Sequence, residues 1–213
     1  MNWTMKSSRW WMTFLVAFQV GGLSAATDSV ICQKFKEPDL THIELKLSHA
    51  DRYDNPALGM GATYIRVGRR LPLVSIYFFD LGHQKITSEV KEDALSMAAN
   101  DIKQHPKNSS LELDGFFWLW KDLFVKLEGF LEKGVYTVGT DRETGRRYFE
   151  SVLIGELNGC IVKMRYSGEI RDFEADDYED RHSNNILAIA AHIKIAMQKD
   201  NPSLLESPLA MNR

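Results

Sequence analysis

A histidine and two carboxylates stand close together in the stretch Ser48-His49-Ala50-Asp51-Arg52-Tyr53-Asp54-Asn55-Pro56. An imidazole oriented by a carboxylate is the pairing used in general-base hydrolysis, and His49, Asp51 and Asp54 together have the donors for a loop-held metal. The plainer reading, a solvated turn, is preferred for a segment so rich in polar and turn-forming residues. The other histidines, at 42, 83, 105, 182 and 192, supply no i, i+4 pair of the kind with which one helix grips zinc. A second polar concentration, Asp172, Glu174, Asp176, Asp177, Glu179 and Asp180, has the oxygen donors that calcium favours. It lacks the glycine and terminal glutamate spacing of an EF-hand, so it reads as a solvated acidic loop leading into a helix.

No Gly-x-Ser-x-Gly elbow, Walker-type phosphate loop or dinucleotide fingerprint occurs. Cys160 lies in a strand pattern, away from the helix N-terminus that would favour its thiolate, and is not expected to be a nucleophile. No catalytic residue, metal-ligand set or cofactor is therefore assigned. The aromatic cluster Phe116, Phe117, Trp118 and Trp120 is mostly core by expectation, but one amphipathic helix cannot bury every side. Phe117 or Trp118 is left to face a protein partner or a small apolar ligand. The binding candidates are Phe117, Trp118, His49, Asp51, Arg52 and Tyr53.

The first residues belong to a different class of segment. Lys6 and Arg9 precede an apolar run from Trp10 to Val20, and Gly21-Gly22-Leu23-Ser24-Ala25-Ala26 follows. Ser24 and Ala26 hold the small-residue positions of a signal-peptidase cut, so residues 1–26 read as a cleavable leader of an exported bacterial envelope protein. A retained anchor is disfavoured, because the apolar core is well short of the roughly 20 residues a bilayer span requires. No stable membrane span is expected after cleavage. Removal of Lys6 and Arg9 takes the chain from 26 Lys and Arg against 29 Asp and Glu to 24 against 29. A mildly acidic protein is a poor match for a phosphate backbone, so nucleic acid is not an expected partner.

Two cysteines remain, Cys32 and Cys160. In an oxidising compartment they can pair, and as two unpaired cysteines they would serve as small buried hydrophobes. The sequence leaves both open.

These residues must be positioned by the elements around them. His42–Leu47 alternates as a half-buried strand, and Ser48–Pro56 is expected to be a loop. Strands are expected over 62–67 and 73–80, the second apolar on both faces and therefore central. Thr87 or Ser88 caps a helix over 88–104. Phe116–Val125 is expected to be helical, although its aromatics also suit a strand. Strands follow over 135–138, 147–157 and 160–166, with Asn158-Gly159 as a hairpin turn. Ser183 is expected to cap the last helix, Pro202 to end it, and 201–213 to form a flexible tail.

The order predicts one α+β domain over 27–200, an antiparallel β-sheet with helices packed against it in a layered sandwich. A hairpin ending in Val74-Ser75-Ile76-Tyr77-Phe78-Phe79-Asp80-Leu81-Gly82 leads into a helix, and Gly159-Cys160-Ile161-Val162-Lys163-Met164-Arg165-Tyr166 precedes the terminal helix. This arrangement resembles the Mog1/PsbP-like sandwich proteins and similar uncharacterised secreted bacterial proteins. The resemblance implies a binding or assembly module without chemistry of its own, and it transfers no site residue. The expected function is a non-enzymatic periplasmic binding or envelope-assembly module. The alternative is a periplasmic hydrolase using His49, Asp51 and Asp54, with or without a metal.

Overall fold

The computed structural model describes residues 29–68, 71–83, 85–104, 110–119, 127, 130–171 and 177–200. Strands β1 (Leu45–Arg52), β2 (Met60–Arg66) and β3 (Leu73–Phe79) precede helix α1 (Ser88–Gln104). Short strands β4 (Leu111–Leu113) and β5 (Phe117–Trp118) follow, then β6 (Lys133–Asp141), β7 (Arg147–Leu157), β8 (Cys160–Ile170) and helix α2 (Tyr178–Asp200). One eight-stranded sheet runs β1-β2-β3-β8-β7-β6-β4, with β5 also paired to β6. Every pairing is antiparallel. The fold class is α+β, as the order of patterns predicted.

Local chemistry explains the punctuation. The β7–β8 hairpin turns at Asn158 and Gly159, both with positive φ (51° and 77°), the geometry that an Asn-Gly pair tolerates best. At the start of α1 the Thr87 hydroxyl accepts from Val90 N (3.3 Å), so Thr87 is the cap. Lys91 of α1 is fastened to Glu132 (2.7 Å), just before β6, and to Glu156 (3.6 Å) of β7, which ties the helix to the sheet.

Buried side chains form two clusters, and consecutive residues of a strand enter different ones. Val152, Ile154, Ile161 and Val135 pack with Ala94, Leu95, Ala98 and Ile102 of α1. Their neighbours Leu153, Val162 and Tyr136 pack with Ile186, Ala190 and Ile193 of α2 and with Cys32, Phe35 and Leu40 ahead of β1. Side chains alternate across a pleated strand, so the clusters occupy opposite faces of the sheet. Phe35 stacks on Phe78 (4.6 Å between centroids), and Tyr64 donates to Pro38 O (2.9 Å). A Cys32–Cys160 disulfide joins this N-terminal segment to the first residue of β8. Closing so long a loop restricts the unfolded chain by about 5 kcal/mol in the entropic account. Pairing, left open by the sequence, is thus settled in its favour.

Four expectations are corrected. The stretch from Ser48 to Arg52 is strand, because its backbone is held by β2 even though both its faces are polar. Phe117–Trp118 is strand rather than helix, paired to Val135 and Tyr136, and residues 120–126 lie outside the described residues. Helix α2 begins at Tyr178, so Ser183 lies within it rather than capping it, and the acidic Glu179 and Asp180 occupy its first turn. Strands β6 and β8 run to Asp141 and Ile170, beyond their expected ends. The leader 1–26, His105, Trp120, Asp172, Glu174, Asp176 and the tail 201–213 lie outside the described residues. Among the described residues no helix is long and apolar enough to cross a membrane.

Candidate functional site

The register of four strands lays two rows of side chains across one face of the sheet. Asp51, Gly61, Tyr77 and Lys163 form the first row, and His49, Thr63, Ser75 and Arg165 the second. Each row continues onto β7 as an apolar residue, Ile154 or Val152, that lies under α1. Along these two rows the face changes from apolar to polar between β7 and β8, while Ile161 of β8 stays in the α1 cluster.

Gly61 makes the first row possible. A Cβ there would lie 2.7 Å from Tyr77 Cδ1, so the absence of a side chain is what admits the Tyr77 ring beside Asp51. The Tyr53 hydroxyl also approaches, 3.5 Å from that Cβ position. Lys163 Nζ sits 4.4 Å from the centroid of Tyr77 and 5.9 Å from that of Phe79, a cation seated on aromatic faces. Burial pushes its pKa below that of an ordinary lysine, while Asp101 of α1 pulls the other way. Burial also raises the Tyr77 hydroxyl and pushes Tyr53 up to about 12, with the charges of Tyr77 and Asp51 adding to the latter. Among the described residues Lys163 has no hydrogen-bond or ion-pair partner.

The second row is better satisfied. His49 Nε2 lies 2.8 Å from Asp51 Oδ2, an exposed pair, and the Thr63 and Ser75 hydroxyls are 3.0 Å apart. Arg165 Nη2 donates to the buried Glu150 carboxylate (3.0 Å), which also accepts from Ser167 Oγ (2.7 Å). Arg165 Nε is buried without a partner among the described residues. The arrangement offers a seated ammonium, a guanidinium, hydroxyls and tyrosine rings on one surface. Groups of these types can contact both an anionic and an apolar part of a ligand.

The structure divides the six binding candidates. His49, Asp51 and Tyr53 belong to this surface. Arg52 alternates to the other face, where it holds the N-terminal segment through Glu37 (2.6 Å), Phe35 O (3.1 Å) and Gln33 O (3.2 Å). Phe117 and Trp118 are 48% and 65% exposed, so exposure in the aromatic cluster is present at both positions. They lie on the opposite edge of the sheet, about six strand spacings or roughly 29 Å from β1. One contact surface uniting the aromatic segment with 49–56 is therefore not formed. Asp54 joins no metal set, and among the described residues no three His, Cys, Asp or Glu side chains gather for one.

Tyr77, Lys163 and Arg165 were not singled out from the sequence. The available signal was a lysine and an arginine at alternate positions of an otherwise apolar strand, a charge placement that a covered strand would not carry. His182, by contrast, is core. It stacks on Phe149 (4.9 Å between centroids), with Nδ1 2.9 Å from the Tyr166 hydroxyl. Comparison with known proteins adds no relative, since no family model, curated protein or solved structure matches the chain.

Proposed function

We propose that the chain is an exported binding module of the cell envelope, without chemistry of its own, built as a layered sandwich of the Mog1/PsbP-like kind. Separate clusters for α1 and α2 on opposite sheet faces support the layering. The buried Cys32–Cys160 disulfide supports an oxidising compartment, because reducing cytosol does not maintain such bonds. The observation that carries the binding reading is the polar half-face itself, with Lys163 on Tyr77 beside His49, Asp51 and Tyr53.

The test is capture of envelope components by Tyr77→Ala, Lys163→Met and Trp118→Ala variants against the parent chain. Loss of capture on the first two with unchanged melting identifies the half-face as the site. Loss only with Trp118→Ala moves the site to β5, and undiminished capture in all three sinks both. The hydrolase alternative retains one supporting observation, the His49–Asp51 contact. It lacks an activated nucleophile among the described residues, since the nearby Thr63 and Ser75 hydroxyls bond to each other rather than to His49.

A further inference from the structure

Six histidines scattered along the sequence offered no pair by spacing, but the fold makes one. His42 lies in the 3₁₀ turn Thr41–Ile43 ahead of β1, and His192 lies on α2. Although 150 residues apart in the chain, His42 Nε2 and His192 Nδ1 approach to 2.9 Å, with ring centroids 4.7 Å apart and planes at 70°. Two imidazole nitrogens bound cis to one late first-row cation, each at about 2.05 Å, are themselves about 2.9 Å apart for a right-angle geometry. The fold brings the two nitrogens to that separation, and a shared cation requires both rings to turn from their mutual hydrogen bond so that the lone pairs meet at a common point. The pair is reachable from solvent, since His42 is exposed and His192 only half-buried.

We propose that His42 and His192 form a two-histidine site for a divalent late first-row cation, of the nickel(II) or copper(II) type, with water completing the coordination. The cation replaces the hydrogen bond between the rings, and the proton of that bond moves to the outer nitrogen of its own ring. No net proton is released from the neutral pair. Among neighbouring groups, Asp39 carries charge that His42 and Lys199 both feel, with its Oδ1 committed to Thr41 N (3.0 Å) and Oγ1 (2.7 Å). The Asp39 carboxylate favours the cation and the Lys199 ammonium opposes it, so the two imidazoles decide the affinity. Because the site joins a turn before β1 to the terminal helix, only the folded chain presents both ligands, and binding stabilises the fold.

The experiment is thermal unfolding of the untagged full chain in NiCl₂, with MgCl₂ as control, at pH 7.5. At metal a hundredfold above Kd, nickel is expected to raise Tm by roughly 5–10 °C at pH 7.5. His42→Gln and His192→Gln should each abolish it, and His49→Gln should not. Absence of a nickel-dependent rise, or its survival in both single variants, overturns the proposal. Should a variant not fold, zinc titration of the parent chain followed by histidine NMR decides. Joint shifts of both rings support the site, and shifts confined to other histidines overturn it.

Discussion

On a single face of the sheet, two halves share one backbone ladder and carry opposite chemistry. Ile154 and Lys163 are direct partners across β7 and β8, as are Val152 and Arg165. On the β7 side the side chains are buried beneath α1, whose Ala94, Leu95, Ala98 and Ile102 meet them. Toward β8 and β3 the cover thins: Ile161 and Phe79 still pack with the α1 cluster, while the two rows onward to β1 become lysine, arginine, serine, threonine and tyrosine. Strand pairing alone therefore does not decide what a position tolerates. The covering element decides it, and the sequence changes character within one strand spacing where the cover ends. A protein selected only for stability could have extended the apolar face or the helix.

The strongest way to break this comparison is to exchange the two partners. Ile154→Lys places an ammonium under α1 among Val135, Val152 and Ile161, where the neighbouring Glu132 and Glu156 carboxylates are already held by Lys91. Burial of an unpaired charge costs several kcal/mol, so a loss of more than about 4 kcal/mol in urea-measured stability is expected, enough to leave much of the chain unfolded. A variant that melts near the parent would show that α1 does not seal this half.

How much of this was legible follows the same line. A run apolar on both faces revealed β3, the Asn-Gly turn and the alternation after it revealed β7 and β8, and the cap and apolar stripe revealed α1, because each is a local signal. The polar strand over 48–52 was read as loop, since an edge strand exposed on both faces shows no hydrophobic period and only its partner β2 reveals it. Phe117-Trp118 suited two elements by propensity, and pairing to β6 made the choice. The site was half legible. His49, Asp51 and Tyr53 were named for their types, but Arg52 was grouped with them because sequence proximity hides the alternation that sends it to the opposite face. Tyr77 and Lys163 meet only because β3 pairs with β8, strands that lie more than 80 residues apart in the chain. No local pattern encodes that, and the same holds for the pairing of His42 with His192.

A subtler change tests whether the polar half is built or merely uncovered. Gly61→Ala is allowed by the backbone, but its Cβ would lie 2.7 Å and 2.9 Å from two atoms of the Tyr77 ring. The ring must shift, taking with it the seat of Lys163. Overpacking of this kind costs about 1–3 kcal/mol. Unfolding in urea gives the cost, and the partner-capture assay should fall in parallel with Tyr77→Ala. A Gly61→Ala chain that is no less stable and still captures would mean that the ring has room to spare and that Gly61 positions nothing.

The smallest effect carries the most information about what the open half is for. Lys163→Ile, the reverse of the first exchange, removes a desolvated ammonium that rests on the Tyr77 and Phe79 rings and feels the Asp101 charge. Loss of the cation–π contact and relief of desolvation oppose each other, so the change at pH 7 should stay within about 1 kcal/mol. The pH dependence separates them. The folded-state pKa of Lys163 is lowered, chiefly by burial, so the folded chain releases this proton at a lower pH than the unfolded chain does. Between those two values the unfolded state binds more protons, and stability from this group rises with pH until it levels above the ordinary lysine value of about 10.4. Tyr53 and Tyr77, both shifted upward, retain protons in the folded state and act in the opposite sense at alkaline pH, but they are present in both chains. The difference between parent and Lys163→Ile, followed by urea midpoints from pH 7 to pH 10, should therefore move in the parent's favour as pH rises. A constant difference across that range would show that the ammonium is well solvated, and the contrast between the two halves would then be one of cover without electrostatic cost.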